Sequence, residues 1–250
     1  MRTSIRGILA AATLSTGMLA APAAFAQDTD VPGPVEVSAN IGVVTDYRFR
    51  GVSLTEGDPA VQGGLDIAHE SGFYIGTWAS NIVGGDTFGE VEVDLYAGFA
   101  TQITPLVSLD VGATYYAYPT GDGPADYYEP YAKLGAQLGP VEAGVGVYYA
   151  PDQESLGDED NLYVSLDLGA GIPNTPLSVS AHAGYTDGIL APDLLAGGTS
   201  DDGWDYSVGL GYSTPFGLDF GVSYIATDGL DVEDFTDDAV VGSVSYSVTF

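Results

Sequence analysis

The chain has 250 residues, of which 35 are Asp or Glu and five are Lys or Arg, so its formal net charge is −30. This charge argues against nucleic acid as a partner, because binding to a phosphate backbone depends on clustered basic side chains. The sequence has no cysteine, which excludes disulfides, thiolate metal sites and cysteine nucleophiles. Glycine (35 residues) and tyrosine (17 residues) are both abundant, which indicates an all-β chain.

Residues 1–26 have the features of a cleaved export signal. Arginines near the start precede an apolar run over residues 8–21, and small residues stand immediately before the expected cleavage point. We therefore predict export with cleavage after Ala26, followed by a short periplasmic lead over residues 27–34. Residues 35–250 remain as a single folded domain.

Apolar and polar residues alternate throughout this domain, with the period of a half-buried β-strand. In the segment that starts at Glu90, for example, Val93 and Leu95 fall on one face, and Glu92 and Asp94 fall on the other. About twelve such segments are predicted, with starts near residues 35, 60, 73, 90, 107, 129, 141, 161, 177, 204, 218 and 239.

Short and long connections alternate between these strands. Tight turns are expected near residues 71, 105, 140, 174 and 216, and long acidic connections over 50–59, 82–89, 119–128, 151–160, 187–203 and 228–238. This alternation predicts an up-and-down antiparallel transmembrane β-barrel, with short periplasmic turns and long acidic extracellular loops. An even number of strands places both ends of the barrel sequence in the periplasm.

Aromatic residues on the apolar face concentrate near strand ends, as expected for two belts at the membrane interfaces. The alternative, a soluble sandwich or a lipocalin-like barrel, would place large rings in the middle of its core. The outer belt is predicted to contain Tyr47, Tyr115, Tyr149, Tyr185, Trp204, Tyr206 and Tyr224, and the inner belt Phe73, Phe99, Tyr212, Tyr246 and Phe250.

The last strand ends at Phe250, with aromatic or apolar residues at alternate positions before it. This pattern is similar to the terminal signal that the outer-membrane assembly machinery recognises in barrel proteins. The predicted partners are therefore outer-membrane lipid and the barrel assembly machinery, and the predicted location is the outer membrane of a Gram-negative bacterium.

Four motifs between residues 47 and 98 resemble a known family. They are Tyr-Arg-Phe-Arg-Gly-Val-Ser at 47–53, Asp-Pro-Ala-Val-Gln-Gly-Gly at 58–64, Ser-Gly-Phe-Tyr-Ile-Gly-Thr-Trp-Ala-Ser-Asn at 71–81 and Glu-Val-Asp-Leu-Tyr-Ala-Gly at 92–98. Together they resemble the TorF-type porin family, also labelled Gcw_chp, closely over residues 35–100 and by strand pattern beyond. The resemblance implies a proteobacterial outer-membrane barrel of the porin type. It implies no substrate and no catalytic residue.

The polar face of the strands is rich in carboxylates and poor in basic side chains. Because basic residues are so few, most of these carboxylates have no ion-pair partner and require water. The sequence therefore predicts a water-filled, negatively charged lumen, and rings of carboxylates favour cations over anions. The residues expected to set the lumen charge and selectivity are Glu92, Asp94, Asp46, Arg48, Asp66, Asp110, Lys133 and Asp167.

The sequence has few groups suited to catalysis. His182 lies on the expected lumen face near Ser180 and Asp167, but neither a Gly-x-Ser-x-Gly nor a His-Glu-x-x-His motif is present. We therefore predict no enzyme activity and no cofactor. Two loops offer oxygen ligands for a divalent cation, without the spacing of an EF-hand, at Asp158, Asp160, Asp231 and Asp234.

Three functional hypotheses follow from these observations. The first is a passive, cation-preferring diffusion channel for small solutes. The second is a closed-lumen receptor or surface-interaction barrel that uses its acidic loops, and the third is an outer-membrane hydrolase. A barrel of about twelve strands lies between small filled barrels and wide porins. Its lumen is therefore either open or filled by bulky groups such as Trp78, Tyr96 and Tyr116.

Overall fold

The computed structural model describes residues 34–250, so the predicted signal peptide and the lead up to residue 33 lie outside the described residues. Two short α-helices, α1 (Gly85–Phe88) and α2 (Pro192–Leu195), and one 3₁₀ turn, Glu154–Leu156, lie in the connections. Within residues 34–250, no helix has the length and apolar character needed to cross a membrane. The strands are β1 (Val35–Val44), β2 (Arg48–Phe49), β3 (Val52–Ser53), β4 (Ala60–His69), β5 (Phe73–Asn81), β6 (Val91–Thr104), β7 (Val107–Ala117), β8 (Tyr127–Leu138), β9 (Val141–Gln153), β10 (Glu159–Gly171), β11 (Leu177–Gly188), β12 (Asp202–Ser213), β13 (Leu218–Thr227) and β14 (Ala239–Thr249).

Twelve of these strands form one closed antiparallel barrel. From β4 to β14 each strand pairs with the next along the chain, and β1 pairs with both β4 and β14, which closes the sheet. The other two strands, β2 and β3, form a separate hairpin. Closure leaves no unpaired strand edge, which is the condition for a sheet to lie in lipid. The predicted twelve-stranded barrel is therefore confirmed, and each strand starts within two residues of its expected position.

The connections give the barrel two different ends. We call one the turn end, where the connections are 70–72, 105–106, 139–140, 172–176 and 214–217, and the other the loop end, where they are 45–59, 82–90, 118–126, 154–158, 189–201 and 228–238. In barrels of this type the loop end is extracellular. The connection 154–158 is shorter than the predicted 151–160, because β9 and β10 continue outward until Gln153 pairs with Glu159.

Side chains alternate between lipid and lumen along the barrel strands, as the sequence pattern predicted. On β6, Leu95 is 51% exposed, whereas its neighbours Asp94 and Tyr96 are buried. The outward side chains of other strands are also large and apolar, for example Leu166 on β10 and Val208 on β12. Such a continuous apolar exterior is stable against lipid and not against water.

An outer belt of tyrosines surrounds the loop end. Each of four belt tyrosines donates its hydroxyl across a connection to an Asp at or just before the next strand. The bonds are Tyr115 to Asp126 (2.8 Å), Tyr149 to Asp160 (2.9 Å), Tyr185 to Asp202 (2.9 Å) and Tyr224 to Asp238. The rings therefore face lipid while their polar tips reach the loops, as aromatic residues do at a membrane interface.

The lumen has a filled half and an accessible half. Toward the loop end, large side chains such as Trp78, Tyr116 and Tyr163 are buried inside the barrel. Toward the turn end, lumen side chains are more exposed, and the Asp167 side chain reaches 58% exposure. The predicted water-filled lumen is therefore wrong for the loop half, because aromatic rings and inward-folded chain occupy it.

Candidate functional site in the barrel lumen

The chain turns into the lumen directly after β1. Residues 46–55 form the β2–β3 hairpin and its flanks, which lie inside the loop half of the barrel; we call this segment the plug. Positive φ angles at Arg50 (50°) and Gly51 (83°) make the tight turn at its tip. A side chain at Gly51 would clash with the wall, since an added Cβ would lie 2.3 Å from Cγ2 of Thr227 on β13. The plug therefore fits closely against the barrel interior.

Tyr47 belongs to the plug and not to the lipid-facing belt, which corrects the sequence prediction. Because β1 ends at Val44, its alternation no longer applies at Tyr47, which is only 2% exposed. The Tyr47 ring packs edge-on against Trp78 with 5.3 Å between centroids, and its hydroxyl donates to Glu92 at 3.0 Å. Tyr47 thus joins the plug to the wall at β5 and β6.

Arg48 links the plug to the last outer connection. Its Nε donates to Asp46 at 2.5 Å, and its Nη2 donates to the carboxylate of Asp237 at 2.9 Å. The hydroxyls of Ser53 and Thr55 donate to the other carboxylate oxygen of Asp46, at 2.6 and 3.2 Å. The two predicted lumen residues Asp46 and Arg48 therefore lie in the lumen, but on the plug and paired with each other.

Arg50 pairs with Glu129, which reaches in from β8. The guanidinium Nη2 donates to both carboxylate oxygens, at 2.7 and 2.6 Å, and both side chains are 1% exposed. The guanidinium carbon also lies 4.7 Å from the ring centroid of Phe49 and 4.1 Å from that of Tyr163. Aromatic faces attract a cation of this kind and add to the ion pair.

Glu92 and Asp94 face the lumen from β6, as predicted, but both are 1% exposed. Their side chains project from the same face of β6, two residues apart. Oε2 of Glu92 and Oδ1 of Asp94 are buried and have no hydrogen-bond partner among residues 34–250. In this arrangement the pair lies behind the plug and not on an open water-filled passage.

The accessible half of the lumen forms a vestibule toward the turn end. The hydroxyl of Tyr96 donates to Asp66 at 2.5 Å, and that of Tyr74 donates to Asp110 at 2.6 Å. Lys133 on β8 is the register partner of Asp110 on β7. The remaining vestibule carboxylates include Asp167 and, nearer the turn end, Glu36, Glu142 and Asp219. Carboxylates therefore dominate the charge of this half.

His182 lies at the border between plug and vestibule, between two carboxylates. Its Nδ1 is 2.6 Å from Asp167 and its Nε2 is 2.9 Å from Asp205. Tyr163 approaches the same Nε2 at 2.9 Å, and Ser165 donates to Asp167 at 3.1 Å. Because both ring nitrogens face carboxylates, neither is placed to take a proton from a serine, and the arrangement differs from a Ser-His-acid triad.

The outer connections hold a separate cavity of about 260 Å³ beside α2. Asp193 accepts backbone N–H bonds there from Ser200, Leu230 and Thr199, which lower the pKa of its carboxyl group. Among residues 34–250 no group of three or more His, Cys, Asp or Glu side chains is arranged to hold a metal ion. The structure therefore does not group the four candidates that the sequence offered in the loops, which are Asp158, Asp160, Asp231 and Asp234.

Sequence reasoning missed three charged residues of this site, namely Arg50, Glu129 and Asp205. Alternation could have identified two of them, since Glu129 and Asp205 lie on the lumen faces of β8 and β12, opposite the outward positions. Arg50 gave no comparable signal, because strand periodicity says nothing about a connection that folds inward. Together, the plug and the side chains that hold it close the loop half of the lumen, and the acidic vestibule remains between the plug and the turn end.

Comparisons with solved structures agree with this fold. The NanC porin shares 11% identity with a TM-score of 0.55, over 84% of this chain and 97% of NanC. The KdgM porin shares 10% identity with a TM-score of 0.53, over 86% of this chain and 99% of KdgM. An outer-membrane channel from Pseudomonas putida F1 shares 10% identity with a TM-score of 0.52, over 88% of this chain and 97% of that one. At these identities the likeness shows the fold, that of outer-membrane porins and channels.

No curated protein matches the chain. A family profile described as "Bacterial protein of unknown function (Gcw_chp)" matches residues 28–249 and so spans the whole barrel. This is the family that the motifs between residues 47 and 98 indicated, although its description does not use the TorF name. The protein is therefore an outer-membrane-type β-barrel that belongs to the Gcw_chp family.

Proposed function

We propose that this barrel is a passive, cation-preferring diffusion channel for small solutes, and that the plug controls whether the channel is open. The observation that carries the proposal is the division of the lumen. An accessible, polar vestibule leads from the turn end to a plug that side-chain contacts hold in place. Porin-type structural neighbours support a channel in general, and the solute remains part of the proposal.

The plug is attached in a way that permits it to move without opening the barrel. Val44 at the end of β1 pairs directly with Ala60 at the start of β4, so the plug is not part of the closing ladder. Its backbone contacts to the last outer connection include the bond from Ser53 N to Phe235 O at 2.7 Å. A second backbone bond runs from Val83 N in the connection 82–90 to Leu54 O at 2.8 Å. The other attachments include the Arg48, Arg50 and Tyr47 side-chain contacts described above. Breaking them leaves the twelve-stranded ladder intact.

The charge of the vestibule supports a preference for cations. Arg48 and Arg50, both on the plug, are paired with carboxylates of the plug, the last outer connection and β8. Among residues 34–250, Lys133 is therefore the basic side chain left on the vestibule side, and His182 lies between two carboxylates at its border. The carboxylates there are Glu36, Asp66, Asp110, Glu142, Asp167 and Asp219. Carboxylate-lined passages attract cations and repel anions, more strongly in a confined pore than in bulk water.

A permanently closed barrel that binds partners through its loops is the second candidate. The buried Arg50–Glu129 pair favours it, because such a pair is costly to pull apart when its two charges stay in a dry interior. The two candidates make different predictions for the plug. In a channel the plug leaves its position at intervals, and in a closed barrel it stays.

Conductance in a planar bilayer tests the proposal. The matched variant replaces residues 45–59 with a four-residue Gly-Ser turn, which bridges the directly paired Val44 and Ala60 as a short hairpin. We expect the wild type to show intermittent openings and the plugless variant to show a larger, continuous conductance. Heat-dependent gel migration of the folded barrel checks that the variant is assembled.

Each outcome is decisive. A plugless barrel that is folded but does not conduct would contradict any channel function, since the vestibule would then be a dead end. If the plugless variant conducts and the wild type shows no conductance, the result supports the closed barrel instead. Intermittent openings of the wild type support the channel.

A further inference from the structure

Glu92 and Asp94 form a buried pair of like charges without a counter-charge. The three basic residues of the barrel are engaged elsewhere: Arg48 pairs with Asp46 and Asp237, Arg50 pairs with Glu129, and Lys133 lies over the Tyr131 and Tyr148 rings. Two adjacent carboxylates in a dry interior are strongly unfavourable unless a cation or a proton compensates them. The structure therefore calls for a positive species at this point.

Unpartnered oxygen atoms lie at this pair and on neighbouring strands in register with it. Oε2 of Glu92 and Oδ1 of Asp94 are buried without a hydrogen-bond partner among residues 34–250, while Tyr47 occupies Oε1 of Glu92. A third oxygen, Oε1 of Gln62, is also buried and unpartnered. Gln62 belongs to the same lumen-facing row, because it pairs with Ser80, which in turn pairs with Glu92. Carboxylate and amide oxygens are the ligands that hard divalent cations take.

We propose that a divalent cation of the Ca²⁺ class binds between Glu92 and Asp94 and fastens the plug to the barrel wall. One divalent ion neutralises both carboxylates, whereas a monovalent ion leaves a net buried charge. The ion also fixes the Glu92 carboxylate, which accepts a hydrogen bond from the hydroxyl of Tyr47. Tyr47 is the contact between the plug and β6. The site is independent of the proposed channel function, since it follows from the buried pair alone.

Luminescence of Tb³⁺, used as a substitute for Ca²⁺, can locate this site. Trp78 on β5 is the register partner of Asp94, so an ion at the pair lies next to its indole. The second tryptophan, Trp204, faces outward beside the outer connections and reports on ions bound to the loops. The experiment uses the full barrel in detergent micelles, with excitation through tryptophan and Ca²⁺ as competitor.

We expect saturable Tb³⁺ emission that Ca²⁺ displaces. The emission should fall to the level of the buffer blank in the double variant Glu92→Gln with Asp94→Asn and in Trp78→Phe, and it should persist in Trp204→Phe. Heat-dependent gel migration shows whether each variant is folded. Should the double variant fail to fold, the two tryptophan variants still decide between the buried site and the loops.

Two results would overturn the proposal. Emission that survives in the folded double variant, or that depends on Trp204, would place the bound ions in the loops. Absence of Trp78-dependent emission at neutral pH would mean that the two carboxyl groups share a proton in place of a cation.

Discussion

Arg50 and Glu129 are 79 positions apart in the sequence, yet one guanidinium nitrogen of Arg50 donates to both carboxylate oxygens of Glu129 inside the barrel. This contact joins the tip of the plug to β8, on the far side of the lumen from β1 and β4. Because both side chains are 1% exposed, water cannot solvate either charge when the other is removed. The pair therefore holds the plug against the opposite wall.

Removal of one partner of this pair should be strongly destabilising. We expect Arg50→Ala to lower the free energy of unfolding by about 3–5 kcal/mol, because it leaves the Glu129 carboxylate buried and unpaired. Urea titration of the barrel in micelles, followed by tryptophan fluorescence, measures this difference.

The double variant Arg50→Met with Glu129→Leu is the control for this prediction. Apolar replacement of both members of a buried ion pair is often neutral or stabilising, so we expect this variant to regain most of the loss. Equal stabilities of the single and the double variant would show that the single variant acts through lost packing and not through an unpaired charge.

The assignment of the outer face predicts a penalty for charge at the lipid midplane. Leu166, in the middle of β10, is 46% exposed on the outer face, and Leu166→Arg should cost about 2–4 kcal/mol. Leu138→Arg is the control, since Leu138 ends β8 at the turn end, where the expected cost is about 0–1 kcal/mol. The comparison of urea titrations in lipid vesicles would reject the assignment if the two variants were equally stable.

Period-two alternation predicted the barrel because it is a local property of each strand and does not depend on contacts with residues distant in sequence. Once one face must meet lipid, the register of a strand such as β6 is fixed, and Glu92 and Asp94 must point inward. The alternation carries no information on how deep a residue lies in the lumen. It therefore identified these two residues and missed that they are buried.

The plug could not be predicted by the same argument. Its conformation depends on contacts that are distant in sequence, such as those from Arg48 to Asp237 and from Tyr47 to Glu92. The belt prediction failed at Tyr47 for this reason, since the residue follows the last paired residue of β1. A useful signal was present in the composition: two of the three basic residues after residue 34, Arg48 and Arg50, lie in a single connection of an acidic barrel.

Phe250 is expected to act in assembly more than in equilibrium stability. In the folded barrel its backbone N–H donates to the carbonyl of Val37 at 2.8 Å, next to the seam where β14 meets β1, and its side chain is 77% exposed. Deletion of Phe250 therefore removes one backbone bond and little packing. We expect the deletion variant to refold in detergent like the wild type and to accumulate poorly as folded barrel in the membrane of living cells.

Two measurements separate these effects for Phe250. Heat-dependent gel migration after refolding reports on stability, and the same assay on isolated outer membranes reports on assembly. Mass spectrometry of the exported chain checks that the predicted cleavage after Ala26 is the same in both proteins. Normal insertion of the deletion variant in cells would refute the assembly role.

The last prediction concerns which carboxylates set the ion selectivity. Glu92 and Asp94 lie behind the plug, whereas Asp66, Asp110 and Asp167 lie on the vestibule side of the lumen. We therefore expect the triple variant, with these three Asp residues changed to Asn, to lose most of the cation preference, and the variant Glu92→Gln with Asp94→Asn to retain it. Reversal potentials in a KCl gradient measure the preference directly, during openings of the barrel that keeps its plug, because removal of residues 45–59 would uncover Glu92 and Asp94.

Salt concentration provides an internal check on the electrostatic origin of this preference. The screening length is about 10 Å at 0.1 M salt and about 3 Å at 1 M, so fixed charges on the vestibule wall act across the passage only at the lower concentration. Selectivity should therefore be clear at 0.1 M and fade toward 1 M. A cation preference that persists at 1 M salt would point to ion coordination at a narrow site. An unselective or anion-preferring pore at 0.1 M would refute the role assigned to Asp66, Asp110 and Asp167. If the pair behind the plug proved to control selectivity instead, the passage would run along β6, close to Tyr47 and Trp78.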